Sequence, residues 1–200
     1  MMTLTSPKIP ATPLMESEGL ACFQSALKGA DVFVEYGSGA STVYAINVLD
    51  VHTVISVDTD QRWLTEVGGQ LDRPKDCNLI HCDLGEVGEW GRPATDKHFR
   101  RYFSYSQAPW LKAHKLGVTP DVVLIDGRFR VASFLASLMH SRPGTPILFD
   151  DYANRPAYHI VESFCPLVRL AGRMAVFTSH DRYHHGAIAA NLARYSVIAD

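Results

Sequence analysis

Hydrophobic and polar positions along the chain fall into two repeating patterns. Short apolar runs at Val32-Phe33-Val34, Val54-Ile55-Val57, Asn78 to Cys82, Asp121 to Ile125 and Pro146 to Phe149 read as buried strands. Between them, apolar residues recur at helical spacing. Leu20, Phe23 and Leu27 place a stripe on a helix from about Glu16 to Lys28, stopped by Gly29, while residues 1–13, with three prolines, read as extended or mobile. Further helices are predicted from Ser41 to about Leu49, from Gln61 to Leu71 with Asp60 as N-cap, and behind the fourth strand, where Val131, Phe134, Leu135 and Leu138 share a face. After the fifth strand come a helix from Pro156 to Phe164, two strands (Val168 to Ala171, Met174 to Thr178) joined around Gly172-Arg173, and a helix from Ala187 to Tyr195. Alternation of strand and helix predicts an α/β fold with parallel strands ending on one edge. From 85 to 120 the periodicity disappears. That segment holds Trp90, Arg92, Phe99, Tyr105 and Trp110, and reads either as a lid over the strand ends or as a subunit contact made of the same aromatics.

The strand ends carry the chemistry. The first runs into E-Y-G-S-G-A-S, with Glu35 followed by Gly37, Ser38, Gly39 and Ser41. Two glycines one residue apart let the backbone turn sharply and approach a ligand, and the helix beyond offers unpaired N–H groups. A dinucleotide site wants a third glycine where Thr42 stands, which disfavours an NAD-linked oxidoreductase. Ser41 is compact and suited to capping the helix. Asp58, followed by Thr59, lies 21 residues beyond Gly37, where a mononucleotide fold presents an acid to ribose hydroxyls. Glu35, Asp58, Asp83, Asp126 and Asp150 close five successive strands, which predicts a polar crevice for a cationic, hydroxyl-rich ligand.

These motifs together resemble class I S-adenosylmethionine-dependent methyltransferases over roughly residues 30–180, and D-V-V-L-I-D-G and I-L-F-D-D-Y are most similar to the small-molecule O-methyltransferases among them. The resemblance implies a Rossmann-like, doubly wound, mostly parallel seven-stranded sheet with an antiparallel last strand, in three αβα layers. It implies S-adenosylmethionine held by Glu35, Gly37, Ser38, Gly39, Ser41, Asp58, Thr59, Asp83, Leu84 and Asp126, with Asp83 and Leu84 at the adenine. It also implies a divalent cation on Asp126, Asp150 and Asp151. Two departures are visible: Asp151 replaces an amide, and Phe129 stands where those enzymes place a lysine. An arginine close by, Arg128 or Arg130, would compete for the same oxygens. Asp126 is the candidate base, and Trp90, Tyr105, Trp110, Arg128 and Tyr152 the candidate acceptor contacts. A domain that binds the cofactor without catalysing transfer is the alternative.

At 200 residues and 46% hydrophobic content the chain is expected to form one domain. Lys+Arg 19 against Asp+Glu 21 leaves a net charge of −2 and no basic cluster, so a small-molecule partner is expected and nucleic acid is not. The lack of a long apolar run or signal-like start predicts a cytoplasmic protein without a membrane partner; a homo-oligomer is compatible with the sequence. Four cysteines with no C-x-x-C pair read as buried thiols, and His180, His184 and His185 as a solvated loop.

Overall fold

The computed structural model describes residues 9–200. Residues 1–8, part of the predicted N-terminal extension, lie outside the described residues; Ile9 is buried against Val43 and Val67, while Ala11, Thr12 and Leu14 are exposed. Seven strands form one sheet in the order β3-β2-β1-β4-β5-β7-β6. These are β1 (Val32–Tyr36), β2 (Thr53–Asp58), β3 (Cys77–His81), β4 (Val122–Ile125), β5 (Pro146–Phe149), β6 (Arg169–Ala171) and β7 (Met174–Thr178). β1 to β5 are mutually parallel, and β7 runs antiparallel to both its neighbours, β5 and β6. The expected seven-stranded sheet and its antiparallel closing strand are both present.

Side-chain alternation on β1 distributes the core. Phe33 faces one layer, with Phe23 and Leu27 of α1 (Ser17–Leu27) and Ala45 and Ile46 of α2 (Ala40–Asn47). Val34 and Tyr36 face the other, with Tyr105 and Trp110 of α4 (Phe103–Leu116) and Phe134 of α5 (Arg130–His140). Helix α3 (Gln61–Gly68) begins under the expected cap, Asp60 accepting from Arg62 N and Trp63 N, and α6 (His185–Tyr195) packs on α5. The segment predicted as a helix after β5 is 3-10 wound, Pro156–Ser163.

The stretch from 85 to 120 departs most from expectation. It contains two 3-10 turns, Glu89–Gly91 and Asp96–Arg101, and then the 14 residues of α4. Buried Tyr105, Ser106, Pro109, Trp110 and Ala113 do lie on one helical face. Ser106 and Pro109 hide that face in the sequence, because a serine reads as solvated and a mid-helix proline as a breaker. Gly117 ends the helix at φ +67°.

Candidate functional site

The sheet order reverses between β1 and β4, and an open α/β sheet binds ligands outside the carboxyl ends of the strands at such a point. Gly37 follows β1 at φ +91°, and a Cβ there would lie 2.8 Å from Gly127 Cα and N and 2.9 Å from the Asp126 carbonyl carbon. Two loop backbones therefore touch where only glycine permits it. Gly39 is different: its backbone is extended, and a Cβ would meet only Trp63 Cζ2 at 3.8 Å, so the space above it is open.

Glu35 does not face the crevice. Its place on β1 puts it on the same face as Phe33, beneath α2, where it is fully buried and accepts from the hydroxyls of Ser41, Thr42 and Ser56. Ser41 lies inside α2, which is capped by Gly39, and its hydroxyl serves Glu35 instead of the helix end. The cluster ties β1, β2 and α2 together below the glycine turn. Burial pushes the Glu35 carboxyl up to about 7, against the lowering effect of the three hydroxyls. Because the folded value lies above the ordinary 4.5, the folded chain binds this proton more tightly. Stability is therefore expected to fall by roughly 3 kcal/mol between about pH 4.5 and 7 from this group. Urea unfolding at pH 5 and pH 8 checks it, and Glu35→Gln should flatten that fall.

Asp58, at the end of β2, is turned toward the glycine loop. Oδ1 accepts from Thr59 N at 2.7 Å and Asp60 N at 3.0 Å, while Oδ2 accepts, among the described residues, only from Ser38 N, at 3.1 Å. Oδ2 keeps a lone pair for a further donor. Burial pushes this carboxyl up to about 6 against those three amides. A flap made by Val87 pairing with Pro93 folds over this corner, and the Thr59 hydroxyl donates to Gly91 O at 2.6 Å. Trp90, at the flap tip with φ +58°, is 83% exposed. At the end of β3, Leu84 is buried, but Asp83 points to solvent and pairs with Arg101 at 2.8 Å.

The ends of β4 and β5 hold three carboxylates and three arginines. Asp126, with a third of its side chain exposed (33%), meets Arg130 Nη2 at 3.0 Å. Asp151, at φ +55°, takes Arg155 at 2.7 Å, Arg173 at 2.9 Å and Arg130 at 3.6 Å. Burial pushes Asp126 up, Arg130 opposes it, and Asp150 and Asp151 add to the rise. The crevice expected to await a cationic ligand thus has Asp126 and Asp151, beyond β4 and β5, paired with the chain's own arginines. The divalent cation implied for Asp126, Asp150 and Asp151 does not fit: the Arg130 guanidinium pairs with the Asp126 and Asp151 carboxylates and bonds the Asp150 main-chain oxygen, and no three His, Cys, Asp or Glu side chains among the described residues are arranged to hold a metal ion.

Of the aromatic candidates, Tyr105 reaches the switch point. Its Oη accepts from Arg128 N at 3.3 Å, donates to Val57 O at 3.4 Å and lies where a Cβ on Gly127 would go. Trp110 and Tyr152 do not line the crevice. Trp110 is buried, donating to Tyr36 Oη at 2.8 Å and stacked on His140, and Tyr152 packs on Phe149 and Phe177 with its hydroxyl on Glu162. Both belong to the core, where an aromatic's area is most effective and its polar tip finds one partner. Hollows of about 410 Å³ beside α1 and β6 and about 470 Å³ between α4, α5 and α6 lie away from this corner. The sequence reading missed the Ser56 and Thr42 hydroxyls and Arg173. Ser56 had a signal, a polar residue inside an apolar run, and it pairs in register with Glu35.

The four cysteines are free thiols, and no helix among the described residues is long and apolar enough to cross a membrane. No protein-family model matches the chain, and neither does any curated protein. Among solved structures, an O-methyltransferase from Bacillus cereus in complex with SAH is 14% identical, with TM-score 0.55 over 86% of this chain and 84% of that one; it shares the fold. The fibrillarin pre-rRNA processing protein of Methanococcus jannaschii shares it also, at 12% identity and TM-score 0.52 over 78% of this chain and 70% of that one. A methyltransferase-like protein from Silicibacter pomeroyi is 31% identical, with TM-score 0.80, over 94% of this chain and 100% of that one. By that identity over nearly the full length of both chains, on a sheet of order β3-β2-β1-β4-β5-β7-β6, this chain belongs to the class I S-adenosylmethionine-dependent methyltransferase-like family.

Proposed function

We propose that the protein transfers the methyl group of S-adenosylmethionine to an oxygen of a small-molecule acceptor. The observation that carries this reading is the corner at the switch point: open space above Gly39 beside an Asp58 Oδ2 with acceptor capacity to spare, and Asp126 on the adjoining strand end. Bound there, the cofactor supplies an activated methyl; transfer forms a C–O bond and breaks the C–S bond, whose electron pair stays on sulfur to leave S-adenosylhomocysteine. Asp58 Oδ2 would accept from a ribose hydroxyl, Leu84 would give an apolar wall to the adenine, and Glu35 would act from below by holding Ser41 and Thr42 in place. Asp126 would take the proton of the acceptor hydroxyl, its raised affinity for protons suiting it to the task better than an ordinary carboxylate. Arg128, whose Nε is buried without a hydrogen-bond partner among the described residues, would face an anionic group of the acceptor. The flap would have to move off Thr59 to admit the ribose, carrying Trp90 with it.

Calorimetric titration with S-adenosylmethionine, S-adenosylhomocysteine and NAD tests the reading. Both sulfur ligands should bind and NAD should not, and Asp58→Ala should weaken S-adenosylhomocysteine by about tenfold or more, the effect of losing a hydrogen bond to a charged group. Equal affinity in parent and variant would reject this site. A second reading, a domain that binds the cofactor without transfer, is favoured by one observation, the pairing of Asp126 with Arg130. Tight binding with no methylated product across a panel of hydroxyl acceptors would establish it in place of the first.

A further inference from the structure

Three backbone carbonyls and two carboxylates converge on one point beyond β4 and β5, and a guanidinium occupies that point. Arg130 Nε donates to Gly127 O at 2.9 Å and Nη1 to Asp150 O at 2.7 Å; Nη2 reaches Asp126 O at 3.2 Å and Oδ1 at 3.0 Å, with Asp151 Oδ2 at 3.6 Å. Arg130 is 3% exposed, and the Tyr158 ring lies 5.9 Å from its central carbon. Phe129 and Asp151, on either side, both hold positive φ, a conformation unfavourable for side-chain-bearing residues and maintained only by strong surroundings. These contacts clamp the two strand ends together.

We propose that Arg130 is the resident cation of this edge, built into the space a divalent ion would need, and that the chain works without a metal; the second half of this inference rests on the function proposed above. Every hydrogen-bond and ion-pair partner of the guanidinium is an oxygen, which is the donor set of a hard divalent cation. The carboxylates a divalent ion would use are already taken: Arg130 pairs with Asp126 and Asp151, and Arg155 and Arg173 pair with Asp151, so an added ion would compete with guanidinium groups for the same oxygens. The guanidinium cannot swing aside cheaply, because it would abandon its buried hydrogen bonds to the carbonyl oxygens of Gly127 and Asp150. One consequence follows for the acceptor. Chelation by two neighbouring hydroxyls needs open positions on a metal, so here a vicinal diol gains nothing over a single hydroxyl. The acceptor is selected by fit and by proton transfer to Asp126.

Mn²⁺ is the probe, read by electron paramagnetic resonance and by Tm, both in the absence of any nucleoside ligand. The parent should bind no stoichiometric Mn²⁺, and its Tm should be the same in millimolar Mg²⁺, Mn²⁺ or EDTA. Arg130→Ala and the milder Arg130→Gln vacate the oxygen cage, so Mn²⁺ should bind one per chain and raise their Tm by several degrees. Adding Asp126→Asn should remove the rise. A parent that binds one Mn²⁺ in a manner lost with Asp126→Asn overturns the proposal, as does a folded Arg130 variant indifferent to Mn²⁺. Should neither variant fold, the parent titration decides. S-adenosylhomocysteine affinity of the parent, measured with and without EDTA, separates the two readings. No binding in either condition rejects the proposed function and leaves the Arg130 assignment to the Mn²⁺ result, whereas binding abolished by EDTA overturns the metal-free site.

Discussion

Gly37→Ala is expected to lower stability by roughly 3 kcal/mol or more and to abolish binding of S-adenosylhomocysteine. Two costs combine. An alanine at φ +91° is strained by about 1–3 kcal/mol. Its methyl would also stand 2.8 Å from the Gly127 backbone, and backbone held in a strand end cannot yield as a flexible side chain can. For a chain of this size the loss corresponds to a fall in Tm on the order of 10 °C. Two companion substitutions separate the causes. Gly29→Ala, at φ +77° with nothing within 4 Å, carries the strain alone and should cost about 1 kcal/mol with ligand affinity intact. Gly39→Ala, in extended backbone with open space above it, should leave Tm within a degree or two and still weaken S-adenosylhomocysteine by about tenfold or more, because the methyl enters the crevice. Thermal melts and calorimetry on the three variants give the answer. An unchanged affinity in Gly39→Ala would remove the corner from the binding site, and an unchanged Tm in Gly37→Ala would show that the two loops do not bear on each other.

The legible parts of this site were those fixed by local chain geometry. A glycine at positive φ, a cap such as Asp60 and an acid closing an apolar strand depend on neighbours in sequence, and Gly37, Asp60 and Asp58 stand where such rules place them. The parallel run of the first five strands was legible for a similar reason, since alternating strands and helices leave few ways to wind. What the sequence concealed depends on facing. Glu35 was expected in the crevice from its position at the end of an apolar run, yet β1 continues through Tyr36, and the two-residue period turns Glu35 under α2 toward Ser41, Thr42 and Ser56. A row of strand-end acids suggested a cationic ligand, because the arginines that answer them come from separate places in the chain, Arg130 on α5, Arg155 after β5 and Arg173 in the turn before β7. Helix α4 was missed because Pro109 and Ser106 interrupt a face completed by Tyr105, Trp110 and Ala113.

Arg130→Ala is the other substitution expected to have a large effect, and its dependence on pH distinguishes an electrostatic clamp from simple packing. Removing one partner of a buried ion pair typically costs about 3–5 kcal/mol, because the remaining charge keeps its desolvation penalty and loses its compensation. Here the orphans are Asp126, part of Asp151 and the carbonyls of Gly127 and Asp150. Arg130 holds the Asp126 carboxyl down against burial, so without it that value rises further in the folded chain. A folded value above the unfolded one means stability is retained at low pH and lost as pH rises through the shifted value. The deficit of Arg130→Ala relative to the parent should therefore be largest near pH 8 and shrink toward pH 5, as the orphaned carboxyls take up protons. Adding Asp126→Asn should recover part of the loss at pH 8 and little at pH 5. Arg130→Lys should fall between parent and alanine, since an ammonium restores the charge but cannot span the oxygens of both strand ends as a planar fork does. Denaturant unfolding of the four proteins at the two pH values measures the coupling directly. A deficit independent of pH, with no recovery on adding Asp126→Asn, would mean that Arg130 stabilises the β4 and β5 ends through its hydrogen bonds to carbonyls and its packing on Tyr158, with the carboxylates contributing nothing measurable.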